Sequence, residues 1–149
     1  MRNRDGWVID ASVANKWYLR DEDLLAQADA IRSAVEGLSV LGVCPHVARH
    51  EVANTMAVAC RGGRTSRKQA MAYISEFLAT GLSNDGDAYW LVTAAAAIAA
   101  ELPVFINDAV YIALAENLGY EFVTDDRKLF DKVADRFPFV RWLGDIPVS

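Results

Sequence analysis

Short apolar runs alternate along this chain with longer segments of helical period. Trp7-Val8-Ile9, Val40 to Val43, Glu121 to Thr124 and Phe139 to Trp142 gather apolar or β-branched residues in runs too short for helices, the pattern of buried strands. Between them the period changes. Residues 11–19 allow a helical turn or two. Over 22–36, Leu24, Leu25, Ala28, Ile31 and Val35 recur at helical spacing, and Gly37 closes the helix. Pro45 stands at the favoured first position of the next helix, which runs to Gly62-Gly63. Thr65 or Ser66 caps a helix that stops at Gly81, and a short extended piece follows near Leu82. An alanine-rich helix spans Gly86 to Ala100 and is broken by Pro103. Asn107-Asp108 opens another, ended by Gly119, and a last helix covers Asp126 to Ala134. Strands alternating with helices predict an α/β fold, a parallel sheet covered on both faces. In such sheets ligands lie beyond the carboxyl ends of the strands.

Composition narrows the picture. The 149 residues are 53% hydrophobic and 23% charged, as expected for a single globular domain over 1–149. Lys and Arg number 15 against 20 Asp and Glu, a net charge of −5. That argues against coating nucleic acid by bulk charge but leaves room for a local basic strip. Cys44 and Cys60 are too far apart for a C-x-x-C motif and read as reduced core thiols. The start MRNRDGWVID has no apolar signal-peptide core, and the longest uncharged run, Ala88 to Ala100, is too short to span a bilayer. A cytoplasmic protein without a membrane span is expected.

The candidate chemistry lies in the acids. Asp10 ends the first strand, and Asp125 and Asp126 follow the third. Glu51 lies two turns into the helix after the second strand, and Asp108 falls in the first turn of its helix. Taken singly, Asp10 or Asp108 reads as a cap for orphan N–H groups. Asp125 suits the cap of the last helix, which leaves Asp126 surplus and pointing elsewhere. Glu51 sits among Val47, Ala48, Val52 and Ala53, so it either needs a partner or lies at the boundary of that helix face. Taken together, a parallel sheet puts all of them at one edge. Carboxylates about 4 Å apart repel by roughly 4 kcal/mol per pair at an effective dielectric near 20. A divalent cation removes that conflict, and hard oxygen donors suit Mg²⁺ or Mn²⁺.

IDASVANKWYL resembles the opening of PIN-domain ribonucleases, in particular VapC-type toxins of bacterial toxin–antitoxin pairs. So does PHVARHEVANTMAVACRGGRTS, and NDAVYIALAENLGYEFVTDDRKL matches the family's third block, ending in Thr-x-Asp. The blocks follow the family order across essentially the whole chain. The resemblance implies a three-layer α/β/α fold and Mg²⁺- or Mn²⁺-dependent endoribonuclease chemistry leaving a 5′-phosphate and a 3′-hydroxyl. It assigns Asp10, Glu51, Asp108 and Asp126 as the catalytic acids, with Asp10, Asp108 and Asp126 holding metal directly or through water. Ser12, Asn54 and Thr124 match supporting polar positions. Asp125 takes the variable position, as a cap or in support, and two adjacent acids leave that assignment ambiguous by one residue. The partners implied are an RNA substrate, a cognate antitoxin protein, and further copies of the chain in a homodimer or higher oligomer.

An acidic protein must still admit RNA. Arg61 and Arg64, with Arg67 and Lys68, cluster around Gly62-Gly63, and Arg127 and Lys128, with Lys132 and Arg136, line the last helix. These are candidates to meet phosphates flanking the site, or else an ordinary solvated face. Arg127, beside Asp126, is the best placed. Trp17 and Tyr18 read as packing residues before base-stacking ones. The alanine-rich helix with Tyr89-Trp90 reads as a buried core helix before an oligomer or antitoxin interface. His46 and His50 fit no zinc pattern, since Glu51 follows the second and Arg49 occupies the place that an inverted motif gives to glutamate. No phosphate-binding glycine loop is present. The alternative to a nuclease is a catalytically silent PIN-like interaction module whose acids are caps.

Overall fold

The computed structural model describes residues 6–83 and 88–148. The four apolar runs form four parallel strands, β1 (Gly6–Ile9), β2 (Leu41–Val43), β3 (Glu121–Thr124) and β4 (Val140–Trp142). Their order is β2-β1-β3-β4, with Val8 opposite both Val43 and Phe122, and Thr124 opposite Trp142. The described residues add seven α-helices: α1 (Ala11–Ala14), α2 (Leu25–Glu36), α3 (Val47–Arg61), α4 (Arg67–Ala79), α5 (Tyr89–Glu101), α6 (Ile106–Leu118) and α7 (Arg127–Val133). The result is the expected three-layer α/β/α arrangement. The two central strands supply Val8, Ile9, Phe122 and Val123, all fully buried, and α6 contributes Tyr111, Ile112 and Leu114 to the same core. Because β1 leads to β2 on one side and β3 lies on the other, the chain changes direction between β1 and β3. The carboxyl ends of these two strands therefore flank a switch-point crevice.

Helix ends depart from the sequence pattern in instructive ways. Gly119 closes α6 at φ 72, with Tyr120 N–H donating to the Ala115 carbonyl, as expected of glycine. At the end of α2, however, the left-handed residue is Leu38 (φ 58), while Gly37 keeps φ −78. At its start, the helix expected from 22 begins at Leu25, and Leu24 takes φ 59. Glu22 and the Asp23 carbonyl are instead drawn to Lys16, so the chain has to turn before α2 can begin. α3 begins at Val47, two residues past Pro45, whose carbonyl accepts from Ala48 N–H. Ser66, and not Thr65, caps α4 through Gln69 N–H. The expected start of the alanine-rich helix at Gly86 lies outside the described residues. No strand forms near Leu82 among them, although the Leu82 carbonyl accepts from Cys44 N–H at 2.8 Å.

α5 is not the buried core helix its composition suggests. It packs on α6 through Leu91 and Ala95 but leaves Tyr89 94% and Val92 56% exposed. Trp17 and Tyr18 are buried, the Trp17 indole donating to the Ala28 carbonyl, so they pack and do not offer stacking faces. Cys44 and Cys60 are free thiols, and Cys44 donates to the Ile9 carbonyl. No single described helix is long and apolar enough to cross a membrane. α5 and α6 together reach the length but turn by 116° at the break containing Pro103.

Candidate active site

Asp10 follows the last residue of β1, and its backbone N–H still donates to the Val123 carbonyl at 3.0 Å, tying the ends of β1 and β3 together. It occupies the N-cap position of α1, yet its carboxylate caps nothing. Oδ2 instead accepts from the Thr124 hydroxyl at 2.6 Å and the Ser12 hydroxyl at 2.9 Å. Each hydroxyl in turn accepts a backbone N–H of the turn after β3: Ser12 from Asp125 and Thr124 from Asp126, both at 3.0 Å. Asp10 is 7% exposed. Burial pushes its carboxyl above the usual range, the two hydroxyls and the nearby Ser12 backbone N–H oppose this, and the Asp126 charge adds to the rise.

Glu51 and Asp108 reach the same place from two helices. Glu51 is half-buried on α3, and its Oε1 accepts the Tyr111 hydroxyl at 2.7 Å. Burial raises its carboxyl from 4.5 to about 7; the Tyr111 hydrogen bond works against this, and the charges of Asp10 and Asp108 reinforce it. Asp108, in the first turn of α6, is raised from 3.8 to about 6, mainly by burial, then by Asp10 and Asp126, with Lys132 opposing. Tyr111, one helical turn after Asp108, is fully buried. Its ring stacks on Phe122 at 5.4 Å, and its hydroxyl also accepts from Ala11 N–H at 3.3 Å. It lies in the third sequence block, whose pattern by itself assigns it no role. An inward tyrosine one turn from a site acid is the signal for it, because a buried phenol needs a partner.

The adjacent pair Asp125 and Asp126 divides differently from expectation. Asp126, not Asp125, is the cap of α7, its Oδ1 accepting Leu129 N–H at 3.0 Å. Its charge nevertheless acts on both Asp10 and Asp108. Asp125 turns the other way and pairs with Lys16 at 3.0 Å. The helix begins one residue later than the cap assignment assumed, so a single carboxylate both caps and faces the other acids.

The remaining expected residues scatter. Asn54 is exposed on α3, and its side chain bonds no described group. Arg64, expected to be available to phosphate, is held by Asp21 at 2.7 Å and Glu22 at 3.0 Å. Arg127 lies over the Trp142 ring at 4.4 Å and pairs with Asp131 at 3.2 Å. Arg61 and Lys128 are exposed without an ion pair among the described residues. Sequence reasoning passed over Lys16 altogether, although a lysine inside an apolar helical turn needs a buried partner.

Among the described residues no three His, Cys, Asp or Glu side chains are positioned to hold a metal ion as they stand. The donor chemistry does fit a hard divalent cation. The site presents carboxylates backed by hydroxyls, and no described basic side chain is hydrogen-bonded to Asp10, Glu51 or Asp108. Burial and mutual repulsion raise all three, a conflict a cation would relieve.

The PIN-domain family model matches residues 7–136, and the chain belongs to that family. PIN domains are as a class nucleases, hydrolases of phosphodiester bonds that typically use divalent metals. No curated protein matches the chain significantly.

Proposed function

We propose that this chain is a Mg²⁺- or Mn²⁺-dependent endoribonuclease and the toxin of a VapC-type toxin–antitoxin pair. The observation that carries the nuclease reading is the hydrogen-bond linkage of the acids: the Thr124 hydroxyl joins Asp10 to the Asp126 backbone, and the Tyr111 hydroxyl, one turn after Asp108, joins Glu51 to the residue after Asp10. Capping accounts for Asp126 alone, since Asp10 makes no side-chain cap bond and Glu51 lies inside α3. Asp10, Asp108 and Asp126 are the residues to hold the cation. Bound there, it would supply Lewis acidity, acidifying a water and offsetting charge on the phosphodiester.

The chain's own groups define the rest. Asp10 has Oδ2 anchored by two hydroxyls, Asp126 has Oδ1 anchored by Leu129 N–H, and Glu51 has Oε1 anchored by Tyr111. Each keeps one oxygen to present. With its carboxyl raised to about 7, Glu51 is poised near neutral pH to take a proton from the attacking water through Oε2. The water oxygen attacks phosphorus in line, the bond to the 3′ oxygen breaks, and that oxygen is protonated from solvent. A 5′-phosphate and a 3′-hydroxyl result.

Arg61, Lys128 and the outer face of Arg127 are the basic groups we assign to flanking phosphates, with Arg64 left to its own acids. The exposed Tyr89, Trp90, Val92 and Phe105 support a cognate antitoxin or a second copy as the occupant of that face. The working compartment in this reading is the cytoplasm.

The test is incubation of the purified protein with mixed cellular RNA in Mg²⁺ or Mn²⁺, with and without EDTA, beside Asp10→Asn. Cleavage that needs the metal and disappears in the variant is expected. Metal binding without cleavage would reject the RNAs supplied as substrate. Neither cleavage nor calorimetric metal binding would replace the enzyme by a silent interaction module.

A further inference from the structure

We propose that Lys16 is a buried positioning residue of the acid site. Through Asp125 it clamps the turn between β3 and α7 to the segment after β1, and so sets where Asp126 stands relative to Asp10 and Asp108. The Lys16 side chain is 3% exposed. Its ammonium meets Asp125 Oδ2 at 3.0 Å, Glu22 Oε1 at 3.3 Å and the Asp23 carbonyl at 2.7 Å. Two of its N–H groups donate to Glu22 and the Asp23 carbonyl, and the contact with Asp125 is an ion pair, so the ammonium is held from three sides. Burying an ammonium is costly, and an apolar side chain of similar length would fill the space more cheaply, so stability alone does not explain the choice.

The partners explain it. Lys16 lies six residues past Asp10, and Asp125 is next to Asp126. The second oxygen of Glu22 is held by Arg64 at 3.0 Å, just beyond the end of α3, the helix that carries Glu51. One run of charges therefore joins the segments bearing Asp10, Glu51 and Asp126. Asp126's own bonds are to Leu129 and to the Thr124 hydroxyl, and only the latter reaches Asp10, at one remove. The direct contacts that cross from the Asp125–Asp126 pair to the segment after β1 are the hydrogen bond to Ser12 and the ion pair with Lys16. The catalytic consequence rests on the nuclease reading above, whereas the clamp itself does not.

The test compares wild type with Lys16→Met, Lys16→Arg and Asp125→Asn, with Glu101→Ala as a control that breaks only the exposed pair with Arg136. Three quantities are read: amide exchange of residues 124–127, Mn²⁺ affinity by calorimetry, and kcat and KM on RNA. Supporting partners of ligating carboxylates are worth about 10- to 100-fold in metal affinity or activity. Lys16→Met and Asp125→Asn should speed exchange of the Asp125 and Asp126 amides about tenfold while Phe122 and Val123 keep their protection. They should also weaken Mn²⁺ binding about tenfold and lower kcat with KM unchanged. Lys16→Arg should restore part of each, and Glu101→Ala should change none. A merely structural lysine would lower Tm and leave Kd and kcat alone at temperatures where the variant is folded. Wild-type exchange and Mn²⁺ affinity in a folded variant would overturn the proposal. If Lys16→Met does not fold, Asp125→Asn, altered from the solvent side of the pair, decides. A wild type that binds Mn²⁺ but cleaves nothing would reject the nuclease reading and leave exchange and Kd to judge the clamp. A wild type that binds no Mn²⁺ would reject the metal reading too, and exchange alone would then judge it.

Discussion

Three of the site carboxyls hold their protons more tightly in the folded chain than an unfolded one would, and this reverses the usual effect of acid. Glu51 rises from 4.5 to about 7 and Asp108 from 3.8 to about 6, both chiefly by burial, and Asp10 rises for the same reason. Between roughly pH 4 and 7 the native state therefore binds more protons than the unfolded state, and stability falls as pH rises through that window. At full weight each of the two half-buried groups would contribute roughly 3 kcal/mol, at about 1.4 kcal/mol per pH unit. Solvent screening at partly exposed groups reduces this to on the order of 1 kcal/mol apiece. Asp21 and Asp29, lowered by Arg64 and Arg20, act in the opposite sense but only below about pH 4, where their own protonation begins. About 2 kcal/mol in a chain of this length is about 6 °C in Tm. The assay is thermal unfolding of EDTA-treated protein from pH 5 to 8, repeated for Glu51→Gln and with saturating Mn²⁺. Tm should drop by about 6 °C across the range in EDTA. Glu51→Gln should roughly halve the drop, and Mn²⁺ should abolish it, because binding fixes the carboxylates in their charged form. A Tm that stays flat or climbs from pH 5 to 8 in EDTA would refute the reasoning.

Other outcomes follow from single contacts. Asp126→Asn keeps an N-cap acceptor for Leu129 N–H and should hold stability within a few tenths of a kcal/mol while abolishing metal-dependent cleavage, whereas Asp126→Ala should also cost about 1 kcal/mol in urea unfolding. Tyr111→Phe removes the donor to Glu51 and leaves Ala11 N–H without its acceptor, so it should destabilise by about 1–3 kcal/mol and move the acid-side, ascending limb of cleavage to higher pH, read from a pH–rate profile. Lys128→Ala should weaken RNA binding and flatten its salt dependence by about one ion, while Arg64→Ala, already paired to Asp21 and Glu22, should leave the salt slope unchanged in a filter-binding titration.

Periodicity alone was enough for the architecture. Four short apolar runs and the 3.6-residue segments between them dictate a covered parallel sheet, because a strand buried on both faces must be apolar throughout and a helix must bury one stripe. Composition was weaker where two environments accept the same residues. The alanine-rich α5 suits a core or an exposed interface equally, and only its packing on α6 shows Tyr89 and Val92 facing out. Glycine was a fair guide to the end of α6, but at α2 the strain fell on Leu24 and Leu38, because contacts of Lys16 and the path into β2 outweigh a local preference of about 1 kcal/mol.

The acids divide the same way. Their positions at strand ends and in the first two turns of helices could be read from the sequence, since those positions follow from the elements themselves. Which oxygen of Asp10 is anchored, which of Asp125 and Asp126 caps α7, and why Arg64 is withdrawn from solution depend on residues up to 114 positions apart, as in the Thr124–Asp10 hydrogen bond. The sequence by itself determined that acids would gather at the carboxyl edge of a parallel sheet. Only the tertiary structure decided that Tyr111 would hold Glu51 and that Lys16 would hold the neighbour of Asp126, because a buried donor chooses its acceptor by distance in space and not by spacing along the chain.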